Sequence, residues 1–112
     1  MKIKGKIGYC DNSDLRQLHS NTGGHYVYIR KVRQNGVCDV STCTSLEDNR
    51  ENIKIEKMKQ VRNGKIYPIP KKDSNFHKWT GINKNTMRVH KSKIRQIGKK
   101  KFKRKHYFPI GK

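Results

Sequence analysis

The pair Asn35-Gly36, set between two β-prone runs, constrains the fold of this 112-residue chain more than any other local feature. Residues 25–33 and 37–45 are rich in β-branched and aromatic side chains, which strands favour. Asn-Gly supplies two residues that tolerate positive φ, as a two-residue hairpin turn requires at both of its central positions. The sequence therefore predicts an antiparallel β-hairpin over these two runs.

Shorter elements surround the hairpin, and turn residues separate them. Two prolines restrict residues 65–70 to a sheet edge or to extended coil, and residues 11–24 and 71–84 are interpreted as loops. Many short strands between close turns favour a small barrel. The predicted fold class is mainly β: a small SH3-like barrel with short helical segments and a basic C-terminal segment. The other predicted elements are strands at residues 2–10 and 85–90, another strand or a strand end at residues 92–97, and one or two helical turns where Ile55, Met58 and Val61 recur at helical spacing.

Length and composition predict one domain, residues 1–112, with residues 99–112 as a basic C-terminal extension. Hydrophobic residues make up only 31% of the chain, and no apolar run approaches the roughly 20 residues of a membrane helix. The N-terminus lacks the apolar core of a secretory signal. The three cysteines, Cys10, Cys38 and Cys43, are an odd number without close pair spacing, so neither a disulfide framework nor a zinc site is predicted. We therefore expect a cytoplasmic protein without a cofactor.

Basic residues are concentrated in the second half of the chain. Residues 57–112 contain 19 Lys or Arg and one carboxylate, whereas residues 1–56 contain 9 basic and 7 acidic residues. The net charge of +20 is therefore about +18 in the second half and about +2 in the first. Self-repulsion on this scale destabilises a compact chain, which favours a polyanionic partner, nucleic acid before an anionic membrane. The membrane is disfavoured because no basic amphipathic helix with an apolar face is evident.

Four short segments, two in each half of the chain, occur in an order that can be compared with known families. The first pair is residues 24–29 (Gly-His-Tyr-Val-Tyr-Ile) and residues 40–45 (Val-Ser-Thr-Cys-Thr-Ser). The second pair is residues 79–89, which begin Trp-Thr-Gly-Ile, and residues 92–97 (Ser-Lys-Ile-Arg-Gln-Ile). In pattern and order of elements, residues 2–105 resemble the MazF/PemK toxin family.

That resemblance implies a specific activity and specific partners. Members of the family are small, dimeric SH3-like barrels that cleave single-stranded RNA without a metal. The RNA 2′-hydroxyl attacks the adjacent phosphate to give a cyclic phosphate, and an acidic antitoxin protein blocks the groove. The position of the family's strand-opening arginine is occupied here by His25, and its Thr/Ser pair falls on Thr44 and Ser45. RNA, an acidic antitoxin and a second copy of the chain are thus the implied partners.

Elementary chemistry gives these three residues plausible roles. Metal-free RNA cleavage needs a proton acceptor for the 2′-hydroxyl, and histidine serves in that role near neutral pH. His25 follows a glycine-rich loop, and Thr44 and Ser45 are expected near it across the hairpin ladder, where their hydroxyls would bind phosphate oxygens. The alternatives are a surface histidine without a catalytic role and a Thr-Ser pair that caps the following segment. The sequence leaves open whether the protein is catalytic.

Nucleic-acid contacts are predicted for the basic residues of the second half and for the single tryptophan. Trp79 is expected either to stack on an unpaired base or to fill the small core. The run from residue 99 to residue 105 is interpreted as a phosphate-binding arm, with a solvated arm as the alternative. The basic candidates are Arg88, His90, Lys91, Lys93, Arg95, Lys99, Lys100, Lys101, Lys103, Arg104 and Lys105.

Two functions fit these patterns. The first is a MazF/PemK-like endoribonuclease that acts on single-stranded RNA. The second is a non-enzymatic RNA- or DNA-binding module on the same type of barrel, such as a mobile-element or ribosome-associated protein. The sequence ranks the ribonuclease first by a small margin, and nucleic-acid binding is common to both.

Overall fold

A computed structural model describes residues 2–15, 22–47, 52–69 and 78–99, and these residues are mainly β. Within these described ranges, six antiparallel strands pair in the order β1-β2-β3-β5-β4, and β6 also pairs with β3. This confirms a mainly β fold with an antiparallel sheet. The sheet is open along this order, so the SH3-like barrel stays a prediction. The elements are β1 (Ile7–Asp11), β2 (Gly24–Val32), β3 (Val37–Ser45), α1 (Ile55–Arg62), β4 (Ile66–Ile69), β5 (Thr80–Asn83) and β6 (Met87–His90).

The chain divides into two compact units, and strand β3 contributes to both. The first unit contains β1, β2, β6 and β3 as far as Thr42. The second unit contains β3 from Cys43 onward, together with α1, β4 and β5. The single domain and its extension at residues 99–112 stay predictions, since residues 100–112 lie outside the described part of the chain.

The hairpin of β2 and β3 is confirmed, but its turn is not the two-residue type. Gly36 has a φ of 86°, whereas Asn35 does not adopt positive φ. Gly36 N–H donates to Arg33 O at 2.9 Å, and Arg33 N–H donates to Val37 O at 2.9 Å. The connection is therefore a three-residue loop, in which a turn is followed by one left-handed glycine. Asn35 instead accepts a bond from Val37 N–H through its side chain, at 3.1 Å.

The core of the first unit lies on one face of β2 and β3. Strand geometry sends alternate side chains to opposite faces, and the alternate residues Val27 and Ile29 are both fully buried. Each such side chain contributes about 1.5–3 kcal/mol relative to leaving it in water. The buried cluster comprises Cys10, Leu15, Val27, Ile29, Cys38, Val40, Val89 and Ile94.

Two segments of the first unit, residues 2–10 and 92–97, differ from the strands predicted for them. The strand predicted at residues 2–10 begins only at Ile7, because Gly5 has a φ of 86° and Lys6 N–H closes a turn onto Ile3 O at 3.0 Å. The strand predicted at residues 92–97 is replaced first by a 3₁₀ turn, Lys91–Lys93. His90 explains that turn, because its Nδ1 accepts the Ser92 N–H at 3.1 Å and caps it.

After the 3₁₀ turn the chain returns to β1. Tyr9 N–H donates to Arg95 O at 2.7 Å, and Arg95 N–H donates to Tyr9 O at 2.8 Å. Gly98 N–H also donates to Ile7 O at 2.8 Å. Residues near 95 therefore make a single antiparallel bridge to β1 instead of a continuous strand.

In the second unit, the predicted helical turns are confirmed as α1, whereas the loop predicted at residues 71–84 contains strand β5. The sequence did not predict that strand because it contains Gly81, and a glycine weakens the β pattern of a short segment. Its lack of a side chain is required here: a Cβ at Gly81 would collide with Ile66 Cγ2. None of the helices in the described residues is long and apolar enough to cross a membrane.

Strand β4, which contains Pro68, lies at the end of the strand order, one of the two placements predicted from the prolines of residues 65–70. Lys84 N–H donates to Lys65 O at 2.7 Å, so Lys65 and alternate residues after it direct their backbone groups toward β5. Pro68 has the opposite parity, and its nitrogen therefore faces away from β5. A residue without an N–H is tolerated at such an edge position.

Candidate functional site

His25 lies near the start of β2, and its imidazole is held by a buried asparagine. The Nδ1 atom of His25 is 2.6 Å from Oδ1 of Asn12, the residue that directly follows β1. Asn12 is 7% exposed, and its backbone N–H donates to Gly23 O at 2.9 Å. Asn12 is thereby tied to the strand end that carries His25. The ring itself is half-buried.

The orientation of the Asn12 amide selects one tautomer of His25. Asn12 Nδ2 donates to Thr22 O at 2.6 Å, and a carbonyl oxygen can only accept, so Oδ1 must be the atom that faces the imidazole. Oδ1 in turn requires a proton on Nδ1 of His25. In the neutral ring Nε2 is then the unprotonated nitrogen, the atom able to accept a proton. The described residues provide no hydrogen-bond partner for Nε2.

Thr44 and Ser45, the other two predicted catalytic residues, lie at the end of β3 in the second unit. They pair with Gly81 and Thr80 of β5. Lys57 of α1 donates from Nζ to Thr44 Oγ1 at 3.5 Å. A hydroxyl and an ammonium group therefore lie side by side, an arrangement suited to phosphate oxygens. Ser45 is exposed.

The predicted convergence of these residues with His25 stays a prediction. The β2–β3 register ends at the pair Val27 and Thr42. Before that point His25 pairs with Cys10 of β1, and beyond it β3 continues in the second unit. Each half of the predicted site is thus described within its own unit.

The two predicted arginines of the first unit each lie near a carboxylate. Arg88 Nε is 3.8 Å from Asp39 Oδ1, and Arg33 Nη2 binds the same carboxylate more closely, at 2.9 Å. Because the Arg88 side chain is 72% exposed and its contact is long, most of its guanidinium faces solvent. Arg95 Nη2 forms a shorter ion pair, 2.5 Å from Asp11 Oδ1.

The predicted basic residues that follow β6 are exposed, and His90, the last residue of β6, also packs against the hairpin turn. Lys91, Lys93 and Lys99 are all exposed, consistent with a surface open to anions. The ring of His90 lies over the hairpin turn, since a Cβ at Gly36 would be 2.7 Å from His90 Nε2. The remaining basic candidates, Lys100, Lys101, Lys103, Arg104 and Lys105, lie outside the described residues.

Trp79 is half-buried and extends the pairing of β3 with β5. Leu46 N–H donates to Trp79 O at 2.7 Å, and Trp79 N–H donates to Glu47 O at 3.2 Å. These bonds fix its backbone just before β5. Packing in the core and stacking on an unpaired base both stay predictions for its side chain.

The three cysteines are buried free thiols. Burial raises the pKa of Cys43 to about 12 and, with the nearby Asp14 and Asp11 carboxylates as smaller causes, raises the pKa of Cys10 to about 11. Burial also raises the pKa of Cys38. Because thiolate is the nucleophilic form, these thiols are poor nucleophiles at neutral pH. Among the described residues no group of three His, Cys, Asp or Glu side chains could hold a metal ion.

Sequence reasoning missed Asn12 and Lys57. Asn12 carries a weak signal, as an Asx residue just after a strand that can bond to nearby backbone. Lys57 carried no distinguishing signal among the many lysines of the chain. No protein-family model, curated protein or solved structure matches the chain.

Proposed function

We propose that the protein binds single-stranded RNA and cleaves it without a metal ion, as a MazF/PemK-like toxin. One observation carries the proposal: the hydrogen bond from His25 to Asn12, which leaves Nε2 as the proton acceptor. A buried amide that orients an imidazole is the arrangement expected of a general base, because the base must be held in one tautomer.

The reaction uses only the substrate, water and this base. His25 Nε2 takes the proton of a ribose 2′-hydroxyl, and the 2′-oxygen forms a bond to the adjacent phosphorus. The bond from phosphorus to the 5′-oxygen of the next nucleotide breaks, and that oxygen takes up a proton from water. His25 then returns its proton to the hydroxide that remains, which restores the base. The products are a 2′,3′-cyclic phosphate and a 5′-hydroxyl. In the second unit, Thr44 and Lys57 are proposed to bind phosphate oxygens of RNA.

Charge supports the binding part of the proposal. In the described part of the first unit, 11 Lys or Arg residues accompany 3 Asp residues. Two of the three carboxylates are paired with arginines. The described residues of this unit therefore carry an excess of positive charge, and a polyanion that supplies phosphates would relieve the repulsion. An acidic antitoxin would compete for the same cations, and the proposed setting is the cytoplasm.

We also propose that the fold is an SH3-like barrel. Its support is the return of the chain after β6, through a 3₁₀ turn, to a bridge with β1. A last segment that pairs with the first strand is how a small sheet begins to close. Dimerisation through this fold is proposed from the family resemblance.

The test is incubation of the purified protein with an end-labelled single-stranded RNA of mixed sequence in EDTA. We expect discrete fragments that end in cyclic phosphate, identified by mass spectrometry. His25→Ala should slow cleavage by about 10²- to 10⁴-fold, the usual contribution of a general base. Gln34→Ala, which removes an exposed side chain from the hairpin loop, is the control and should cleave as the wild type does.

A fully 2′-deoxy analogue of the oligonucleotide separates binding from cleavage, because it lacks the attacking hydroxyl. The wild type and His25→Ala should bind this analogue within about twofold of each other, since the lysines and arginines that contact phosphates are unchanged and dominate nucleic-acid affinity. Absence of cleavage by the wild type, or undiminished cleavage by His25→Ala, would refute the ribonuclease.

The second candidate is a non-enzymatic RNA- or DNA-binding module, mobile-element or ribosome-associated. The surplus of exposed cations favours it independently of His25, because phosphate binding needs no proton acceptor. Salt-sensitive binding of RNA without cleavage, unchanged in His25→Ala, would select this candidate.

A further inference from the structure

Two tyrosines form an aromatic pair on the opposite face of the sheet from His25. Tyr9 of β1 and Tyr26 of β2 are directly opposite each other in the antiparallel register. Their ring centroids are 5.2 Å apart and the rings are inclined at 73°, an edge-to-face pair. Tyr26 is 43% exposed, although neighbouring strand residues such as Val27 are fully buried. The pair thus presents an aromatic surface to solvent.

An arginine lies beside this aromatic surface. The guanidinium carbon of Arg95 is 5.6 Å from the centre of the Tyr9 ring, within the range of a cation–π contact. The ion pair to Asp11 fixes the other side of the guanidinium, and the backbone bonds between Arg95 and Tyr9 fix its position along the strand. The Arg95 side chain is 55% exposed, so N–H donors remain directed to solvent.

This combination matches the chemistry of an unpaired nucleotide. A base offers a flat π-face, which stacks on exposed tyrosine, and its phosphate offers oxygens that bind a fixed guanidinium. An isolated exposed aromatic residue is common and needs no explanation. Here the aromatic pair on β1 and β2, the oriented arginine that bridges to β1 and the cationic surplus all belong to the first unit, and that combination favours an anionic, aromatic ligand.

We propose that Tyr26, supported by Tyr9 and Arg95, is a stacking site for one unpaired base of single-stranded RNA. The proposal rests on the RNA binding proposed above, but it does not depend on cleavage. Adjacent strand residues point to opposite faces, so Tyr26 does not share a face with His25. The site therefore holds the RNA chain away from the reacting phosphate.

The test measures binding of a fluorescent, fully 2′-deoxy oligonucleotide by anisotropy, and compares it with an abasic oligonucleotide of the same length. Tyr26→Ala should weaken binding of the base-bearing strand by about 5- to 150-fold, the range for loss of one stacked base. Tyr26→Phe keeps the ring and should bind within about twofold of the wild type. All variants should bind the abasic strand as the wild type does, because its phosphates are unchanged.

Two further variants guard against indirect effects. Val32→Ala removes an exposed apolar side chain, 37% exposed, from the same strand and should leave both affinities unchanged. Tyr26→Leu keeps apolar volume without a π-face, so it should fold even if Tyr26→Ala does not, and it should lose affinity for the base-bearing strand alone. Equal affinity of Tyr26→Leu and the wild type for that strand would overturn the stacking site. Such a result would leave RNA binding intact, whereas a wild type that binds neither strand would overturn both proposals.

Discussion

Removal of the Asn12 amide should weaken the fold by a predictable amount, whether or not the protein is an enzyme. Asn12→Ala deletes two side-chain hydrogen bonds, one to Thr22 O and one to His25 Nδ1, each 2.6 Å long. A hydrogen bond contributes about 0.5–1.5 kcal/mol net, which gives about 1–3 kcal/mol for the pair. Because Thr22 is exposed and water can replace the lost donor, we expect about 1–2 kcal/mol.

The assay is urea-induced unfolding followed by circular dichroism, for Asn12→Ala, His25→Ala and the double variant. Residues in contact are non-additive, so the double-mutant cycle should give a coupling free energy of about 0.5–1.5 kcal/mol. Ser13→Ala, an exposed neighbour, should change the free energy of unfolding by less than about 0.5 kcal/mol. A coupling free energy near zero would refute the bond from His25 to Asn12, and with it the tautomer assigned to His25.

Other consequences concern packing, pH and salt. Gly81→Ala should destabilise by about 1–3 kcal/mol in urea unfolding because its Cβ collides with Ile66, whereas Gly98→Ala, with no neighbour closer than 3.6 Å, should cost far less. Burial raises the pKa values of Cys10 and Cys43 in the folded protein to about 11 and about 12, from a usual value of 9.0. Above pH 9 the unfolded chain therefore loses thiol protons that the folded protein keeps, and the free energy of unfolding should fall as the pH rises from about 9 toward about 12. Alkaline melting curves of a Cys10→Ser variant should show a smaller loss. The logarithm of the RNA-binding constant should fall linearly with the logarithm of the salt concentration, with a slope of about −3 or steeper, because roughly 0.7 counterions are released for each phosphate contacted. A binding constant that does not change with salt would contradict phosphate binding.

The local patterns of the chain predicted its hairpin and helix well. Hydrophobic periodicity and β-branched residues are local signals, and they located β2, β3, β6 and α1. The turn at Gly36 differs from the predicted two-residue turn, because in the three-residue loop the Asn35 side chain accepts a hydrogen bond from Val37 N–H. The strand β5 was missed because its signal is interrupted at Gly81, where packing against Ile66 requires a glycine.

The candidate site was only partly accessible to sequence reasoning. His25 could be selected from its chemistry and its place after a glycine-rich loop. Its partner Asn12 is 13 residues away, and only the pairing of β1 with β2 brings the two together. Lys57 and Thr44 also lie 13 residues apart, and their contact joins helix α1 to strand β3. Contacts of these two kinds depend on strand register and on the packing of a helix beside the sheet, which a single sequence does not specify.

The orientation of Pro68 has a consequence for the behaviour of this protein in mixtures with polyanions. A charge of +20 keeps identical chains apart, but a bound polyanion removes that repulsion and concentrates the chains along its length. Open sheet edges then become the hazard, because each edge is a template for a strand from a neighbouring molecule. Pro68 interrupts the donor row on the outer side of β4. The colloidal stability of the neutralised complex therefore depends in part on one missing N–H group.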